Sequence, residues 1–144
     1  VLVGLHKENN KHFLNKKVLD NIIKKNIIEY KNFTDNIEDY YKKTSCIILP
    51  SYREGLSTIL LEAAVLRIPI ITTRVPGCQD IVPNENYGFL CKPKSIDSLI
   101  ETIKAFINTD AQDILSKTEK TYDHVKMNFS RDSILKKYCN IFNL

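Results

Sequence analysis

The sequence lacks the patterns that mark several classes of protein. Its four cysteines are widely spaced and form no C-x-x-C pair, so neither a zinc site nor a disulfide framework is indicated. No run of residues approaches the ~20 apolar positions that a membrane span needs, and no signal peptide is visible. Arginine-rich or aromatic-interleaved patches are absent, which argues against nucleic acid as a partner. These absences favour a protein of the reducing cytosol.

The chain also lacks internal repeats, low-complexity tracts, linkers and an initial methionine. It begins with VLVG, letters typical of a strand, so we expect it to be a piece of a longer protein. Its 144 residues suit one domain with a proper core, and 43% hydrophobic and 26% charged residues are typical of a soluble globular chain. We therefore predict a single domain over residues 1–144.

The positive charge of the chain is mild. The net charge is +4, and the lysines at positions 11, 16, 17, 24 and 25 fall within a predicted helix over residues 11–25. Apolar residues such as Leu19 and Ile22 supply the buried side of that helix, so the lysines form its solvated face. The alternative is a weak contact with anionic lipid. His6, in the loop before this helix, is either solvated or a ligand.

A strand, a loop and a helix over residues 46–66 form the centre of the chain. The apolar run at residues 46–49 is β-branched in its middle, which predicts a buried parallel strand that Pro50 ends. From Ser57 the apolar residues recur at three- and four-residue intervals, which predicts a helix capped by Ser57 or Thr58. Open α/β sheets bind ligands at such a loop, and the free amides of a helix start favour an anion there.

Two carboxylates lie on either side of that predicted anion site. Glu54 is in the loop, and Glu62 is in the second turn of the helix, roughly 6–8 Å along its axis. A diphosphate over the helix start would leave Glu62 to accept two ribose hydroxyls and Glu54 to face the group on the far phosphate, as in a nucleotide-sugar. The alternatives are that Glu62 is a helix-surface carboxylate interacting with the dipole and that Glu54 is an exposed loop acid.

The remaining chain alternates strands and helices, which predicts an α/β fold with a doubly wound parallel sheet. Strands are predicted at residues 1–4, 27–30, 69–72 and 88–91, and a short helix capped by Thr34 or Asp35 follows the second of them. A turn at residues 75–77 is expected to use the permissive dihedrals of Gly77. The last three helices are predicted at 96–107, 111–127 and from 131 onward. Their apolar stripes, which include Ile96, Ile100, Leu135 and Tyr138, are expected to face the core.

The central block resembles a known enzyme family. Glu54 and Glu62, separated by seven residues, are similar to the E-x7-E motif of glycosyltransferase family 4, whose members are retaining enzymes with the GT-B fold. The letters LPSYREGL, LLEAA, IPIITT, VPGC, IV and GFL follow in the order and spacing of that family. Their combination resembles bacterial members that build capsule, O-antigen or other lipid-linked glycans. Arg67 stands where the family usually has a helix-ending glycine, and we expect it to use a different turn.

The resemblance implies roles for individual residues. Glu54 is expected to contact the transferred sugar and to stabilise an oxocarbenium-like transition state, and Glu62 is expected to bind the ribose. The backbone amides of Leu56 and Ser57 would hold sugar hydroxyls, and those of Thr58 and Ile59 would meet the diphosphate. The remaining implied substrate-binding residues are Gly55, Gly4, Ile28 and Tyr30. No D-x-D motif appears, so we expect no metal and no other cofactor.

The resemblance therefore implies the C-terminal half of a GT-B glycosyltransferase, a Rossmann-like domain that binds a nucleotide-sugar, most simply a UDP-sugar. Its hexose would pass with retention to a lipid-linked or polysaccharide acceptor held by an N-terminal domain outside this chain. The chain alone is expected to be inactive. The whole protein is expected in the cytoplasm, at the inner face of the membrane. The alternatives are a non-catalytic nucleotide-binding subunit and another GT-B enzyme such as a sugar-nucleotide epimerase.

Overall fold

The computed structural model describes residues 1–4, 15–32 and 34–142. The chain divides into two compact units, Val1–Lys42 and Lys43–Leu144. That residues 1–144 form a single domain stays a prediction, and the two units are described separately.

The first unit contains a small parallel sheet. Strand β1 (Leu2–Val3) pairs with β2 (Tyr30–Lys31), which begins three residues later than the predicted strand at 27–30. Helix α1 (Lys16–Lys24) lies between them in sequence, and α2 (Ile37–Tyr41) follows β2. Leu19 of α1 is buried and Ile22 is half-buried, as predicted for the inner side of this helix, whereas Val18, predicted on the same side, is 45% exposed. Residues 11–14 of the predicted helix, and His6, lie outside the described residues.

The predicted cap of α2 is wrong. The helix begins after Asn36, whose side chain makes no capping hydrogen bond. The hydroxyl of Thr34 accepts from the backbone amide of Asn36 at 3.1 Å instead. A threonine side chain that bonds the amide two residues ahead closes a turn before the helix and leaves the helix amides to other acceptors.

The second unit contains a parallel sheet with strands in the order β3-β4-β5, connected through helices. In chain order its elements are β3 (Ile47–Leu49), α3 (Thr58–Val65), β4 (Ile70–Thr73), α4 (Pro76–Gln79), β5 (Phe89–Cys91), α5 (Ile96–Asn108), α6 (Ala111–Phe129) and α7 (Arg131–Phe142). The register places Leu49 opposite Thr72, and Thr72 opposite Leu90. Parallel strands joined by helices confirm the predicted α/β class.

The core of this unit surrounds β4. All four residues of β4 are buried, as expected for a strand with a neighbour on each side. Helix α3 buries Leu60, Ala63 and Ala64 and packs against the sheet and α6. A fully buried leucine stabilises the fold by about 1.5–3 kcal/mol relative to an exposed one. The small residues of α3 let it approach its neighbours closely, so this helix and β3 are held firmly where the predicted site begins.

The predicted inward stripes of α5 and α7 are only partly covered. On α5 the prediction is wrong for Ile96, which is 77% exposed, and for Ile100, which is 44% exposed, while the half-buried Phe106 contacts Phe89 edge-on, with ring centroids 5.3 Å apart. On α7, which lies against α6, no side chain is buried and Tyr138 is 57% exposed. Much of the apolar stripe of each helix is therefore left uncovered by the described residues. Periodicity predicts which residues share a face, and only packing decides whether that face is covered.

The connection from α3 to β4 corrects the prediction for Arg67. This residue has φ +55°, the left-handed conformation in which glycine usually ends a helix. The amides of Arg67 and Ile68 donate to the carbonyls of Ala64 and Ala63, at 3.1 and 2.8 Å, which is the Schellman pattern. The expected different turn is therefore wrong.

Contacts of the Arg67 side chain explain how arginine occupies this position. Its Nε lies 2.7 Å from a carboxylate oxygen of Glu119, and its guanidinium carbon lies 3.7 Å from the ring centroid of Tyr122. The hydrogen bond from Arg67 to Glu119 raises the pKa of the guanidinium. Both partners belong to α6, so the side chain ties the end of α3 to that helix. This packing offsets the steric cost of the left-handed backbone.

No helix in the part of the chain that the structure describes is both long enough and apolar enough to cross a membrane.

Candidate functional site

The predicted strand, loop and helix are present in the second unit. The strand was predicted to be buried, and this is wrong: β3 lies at one edge of the three-stranded sheet, no residue of it is buried, and Ile48 is 46% exposed. Strand β3 ends at Leu49, residues 51–56 form a loop, and α3 begins at Thr58 with Ser57 as its N-cap. The hydroxyl of Ser57 accepts from the amide of Leu60 at 3.4 Å, and its carbonyl accepts from the amide of Leu61 at 3.1 Å. Ser57 is only 3% exposed, so the cap is part of the packed structure. We name residues 51–56 the Glu54 loop.

Two amides at the start of α3 are left over by this capping. Helix geometry leaves the first four N–H groups, from the N-cap Ser57 to Leu60, without partners inside the helix. The Ser57 hydroxyl satisfies that of Leu60, while the amide of Leu61 makes the first helical hydrogen bond to the Ser57 carbonyl. The amides of Thr58 and Ile59 have no acceptor among the described residues, and both residues are exposed. Together with the positive end of the helix dipole, these amides are the groups that the predicted anion would contact, and anion binding there stays a prediction.

The two glutamates lie before and within α3, as predicted. Glu54 is half-buried in the Glu54 loop, whereas Glu62 is exposed on the second turn of the helix. Gly55 and Leu56, which were predicted to contact substrate, are exposed beside Glu54. The residues from Glu54 to Glu62 therefore lie where the end of β3 leads through the Glu54 loop into α3. The contacts of these residues with a donor stay predictions.

Hydrogen bonds from the neighbouring strand β4 hold the end of β3 and the beginning of the Glu54 loop. The hydroxyl of Thr72 donates to the carbonyl of Leu49 at 2.8 Å, and the hydroxyl of Thr73 donates to the carbonyl of Ser51. Both threonines are fully buried, and buried hydroxyls in folded proteins have hydrogen-bond partners. The end of β4 therefore fixes the end of β3 and the first residue of the Glu54 loop.

Two further residues contact this loop. The backbone of Gly77, in α4, lies against the carbonyl groups of Glu54 and Gly55. The ammonium of Lys94 lies 5.8 Å from the ring centroid of Tyr52. The sequence prediction missed both contacts. The sequence signal for the first contact was Gly77 within the VPGC letters, which the prediction assigned to a turn.

The predicted reason for Gly77 is wrong. Among the glycines described, only Gly4 has a positive φ, and Gly77 lies within α4. Its lack of a side chain serves close approach: a Cβ at Gly77 would overlap the carbonyl of Gly55 and would lie 2.7 Å from the carbonyl oxygen of Glu54. Sequence alone could not separate a turn glycine from a close-packed one, because the approaching backbone is more than 20 residues away.

The other predicted site residues lie in the first unit. Gly4 has φ +150°, a backbone conformation rare for residues with a side chain, and its carbonyl accepts from the Tyr30 hydroxyl at 2.7 Å. Ile28 is half-buried two residues before Tyr30. The structure therefore brings Gly4 and Tyr30 together at the end of β1. A role for Gly4, Ile28 and Tyr30 in nucleotide binding stays a prediction.

No cluster of three or more His, Cys, Asp or Glu side chains that could hold a metal ion occurs among residues 1–4, 15–32 and 34–142. The four cysteines are free. Burial raises the pKa of the Cys46 thiol to about 12 and also raises that of Cys91. These thiols are packing residues at neutral pH, because the thiolate is the reactive form.

Comparison with known protein families matches residues 1–122 to the family described as glycosyl transferases group 1. The chain belongs to the glycosyl transferases group 1 family. This confirms the coarse prediction of a glycosyltransferase domain.

Relatives of this group 1 glycosyltransferase chain include surface-polysaccharide enzymes. The capsular polysaccharide biosynthesis glycosyltransferase CapM of Staphylococcus aureus is 31% identical over 86 residues, 60% of this chain and 22% of CapM. The UDP-Gal:alpha-D-GlcNAc-diphosphoundecaprenol alpha-1,3-galactosyltransferase of Escherichia coli is 31% identical over 83 residues, 58% of this chain and 21% of that enzyme. The chain thus spans about a fifth of the length of these relatives.

Solved structures confirm the fold of the group 1 chain. HepE of Anabaena, solved in complex with UDP, superposes with a TM-score of 0.83 at 18% identity, covering 99% of this chain and 40% of HepE. A structure of HepE with UDP-glucose superposes with a TM-score of 0.81. The likeness confirms the predicted Rossmann-like α/β fold with parallel strands, as found in GT-B glycosyltransferases.

Proposed function

We propose that this chain is the donor-binding, C-terminal half of a retaining glycosyltransferase of family 4. Its donor is a UDP-sugar, and its hexose passes to a lipid-linked or polysaccharide acceptor in bacterial surface-glycan synthesis. Named relatives that act in capsule synthesis or use UDP-galactose support this assignment, as does a structural neighbour that binds UDP and UDP-glucose.

One observation carries the proposal. The Ser57 hydroxyl caps the amide of Leu60, and the amides of Thr58 and Ile59, at the helix start that follows parallel strand β3, have no acceptor among the described residues. In open α/β folds this is where phosphates bind. The family resemblance expects the diphosphate at these same two residues, so capping geometry and resemblance support the same position.

The proposed reaction uses the groups around that position. The amides of Thr58 and Ile59 receive the diphosphate, and Glu62 accepts hydrogen bonds from the ribose. Gly55, Leu56 and Ser57 line the sugar, and the Glu54 carboxylate stabilises positive charge that develops at the anomeric carbon. The sugar–phosphate bond breaks as the acceptor oxygen attacks from the same face, and the departing diphosphate takes the acceptor proton. Gly4, Ile28 and Tyr30 are proposed contacts of the nucleoside, and the reaction is proposed to need no metal.

The acceptor and the rest of the catalytic centre are proposed to belong to an N-terminal domain outside this chain. The whole protein is proposed to act in the cytoplasm, at the inner face of the membrane where lipid-linked acceptors are found. We expect the present chain to bind donor weakly and to transfer little or nothing. Incubation with UDP-[¹⁴C]glucose and a lipid-linked acceptor checks this, and full turnover by these 144 residues would contradict it.

Glu62→Ala tests the donor site. We expect it to weaken UDP binding about tenfold or more, because a hydrogen bond to a charged group contributes ~1.5–3 kcal/mol. Calorimetric titration with UDP and GDP measures the affinity, and circular dichroism checks the fold. Glu101→Ala, which removes an exposed glutamate on α5, is the matched control and should bind as the unmodified chain does. Equal affinity of Glu62→Ala and the control would remove Glu62 from the site.

A further inference from the structure

The Glu54 loop is attached to the segment that runs from β4 into α4. Two contacts make the attachment. The Thr73 hydroxyl, on a residue that is 1% exposed, donates across to the carbonyl of Ser51 at the start of the loop. Gly77 lies against the carbonyls of Glu54 and Gly55 near the end of the loop. The segment from β4 into α4 therefore contacts the loop near both of its ends.

The contact at Gly77 leaves no space for a side chain. A Cβ there would overlap the Gly55 carbonyl, and the atoms that it would meet are all backbone, which cannot move aside as the end of a flexible side chain can. Gly88 offers a useful contrast. A Cβ at Gly88 would meet Val82 Cγ1 at 2.9 Å and the Ile70 carbonyl oxygen at 3.0 Å, so it is also close-packed, but its neighbours belong to the core. The two glycines separate an effect on the loop from an effect on packing in general.

We propose that Gly77 and Thr73 are positioning residues that fix the Glu54 loop and, through it, the Glu54 carboxylate. The consequence for donor binding rests on the proposed function. Substituting either residue releases the loop while the sheet and α3 stay in place, because α3 is held by its own buried residues Leu60, Ala63 and Ala64. The sugar, which Glu54 is proposed to touch, is then affected more than the diphosphate at the start of α3.

Hydrogen exchange decides the positioning role without any ligand. Amide exchange of residues 52–56 is followed by mass spectrometry in the unmodified chain and in Gly77→Ala, Thr73→Val, Thr73→Ser and Gly88→Ala. We expect exchange in this loop to be at least several-fold faster in Gly77→Ala and Thr73→Val. Thr73→Ser keeps the hydroxyl and should restore slow exchange, and Gly88→Ala should leave the loop unchanged. If Gly77→Ala does not fold, the Thr73→Val and Thr73→Ser pair carries the comparison.

Titrations with UDP and with UDP-glucose test the consequence for the site. We expect Gly77→Ala and Thr73→Val to weaken UDP-glucose binding about tenfold more than UDP binding. A factor of this size corresponds to the loss of one hydrogen bond to a charged group, here the Glu54 carboxylate. Thr73→Ser and Gly88→Ala should keep the ratio of the two affinities.

The outcomes separate this inference from the proposed function. Unchanged loop exchange in both Gly77→Ala and Thr73→Val would overturn the inference, whether or not a nucleotide binds. Faster loop exchange with equal losses for UDP and UDP-glucose would also overturn it, since the loop would then not serve the sugar. Failure of the unmodified chain to bind either nucleotide would overturn the proposed function alone, and the exchange comparison would still decide the positioning role.

Discussion

At the scale of single residues, Cys46 shows how burial changes the chemistry of a side chain. Its thiol is half-buried just before β3, and desolvation raises its pKa from about 9 to about 12, against a smaller lowering by a backbone hydrogen bond. In the unfolded chain the thiol returns to its ordinary pKa. Between these two pKa values the folded state therefore holds a proton that the unfolded state has lost.

This difference predicts a loss of stability in alkaline solution. The free energy of unfolding should fall as pH rises above about 9, because the unfolded thiol ionises first, and the fall should continue towards pH 12. Below pH 9 the group should have no effect. Urea unfolding of the unmodified chain and of Cys46→Ala at pH 8, 9 and 10 measures it, since other titrating groups are common to both. The advantage of the unmodified chain over Cys46→Ala should shrink with pH, and a constant difference would refute the prediction.

The Ser57 cap is a residue-level prediction from sequence that succeeded because its cause is local. The Ser57 cap follows from one side chain and the amides that come directly after it, so the letters sufficed. Gly77 and Thr73 serve backbone that lies far away in sequence, and nothing near them marks that purpose. Arg67 was misjudged because its left-handed conformation depends on Glu119 and Tyr122, which are more than 50 residues away.

At the scale of elements, the junction between α3 and β4 separates backbone cost from side-chain contact. Arg67→Gly and Arg67→Ala both remove the contacts with Glu119 and Tyr122, but only glycine relieves the left-handed conformation. We expect both variants to melt below the unmodified chain, with Arg67→Gly melting a few degrees above Arg67→Ala. Calorimetric melting temperatures check the order. If Arg67→Ala melted at or above Arg67→Gly, the residue would not be strained.

Strands and helices were predicted well where an apolar pattern has a buried side. All four residues of strand β4 are buried, and helix α3 buries Leu60, Ala63 and Ala64, so the apolar pattern was enough to identify both elements, although Ile59 and Val65 of α3 are exposed. The error for α5 and α7 was of another kind. Their periodicity gave helices correctly, but no pattern in a helix states how much of its apolar face another element covers.

At the scale of the whole molecule, the buried residues that the structure describes are distributed unequally between the two units. Among residues 1–4, 15–32 and 34–142, the buried hydrophobic residues of Val1–Lys42 are Leu19 and Tyr41, and the others lie in Lys43–Leu144. A two-stranded sheet is at best marginally stable alone, whereas three strands covered by helices can be independently stable. The second unit therefore has the features of an autonomous fold.

We predict that residues 43–144 expressed alone fold and that residues 1–42 do not. Dispersed amide resonances and a cooperative thermal transition should be seen for the longer piece, and neither for the shorter one. The longer piece should also keep slow exchange at the Glu54 loop, since Thr73 and Gly77 lie within it. A molten longer piece, with collapsed amide dispersion, would show that the first unit is needed for folding.

The close contact between Gly77 and the Glu54 loop also sets a rule for recombination with relatives. A chimera whose crossover falls between residues 58 and 71 takes the Glu54 loop from one parent. It takes the segment that contacts this loop, with Thr73 and Gly77, from the other parent. A longer or bulkier loop would then collide with the backbone of α4, even if Glu54 and Glu62 were both preserved. Residues 49–57 and 72–78 should be exchanged together, as one two-part cassette.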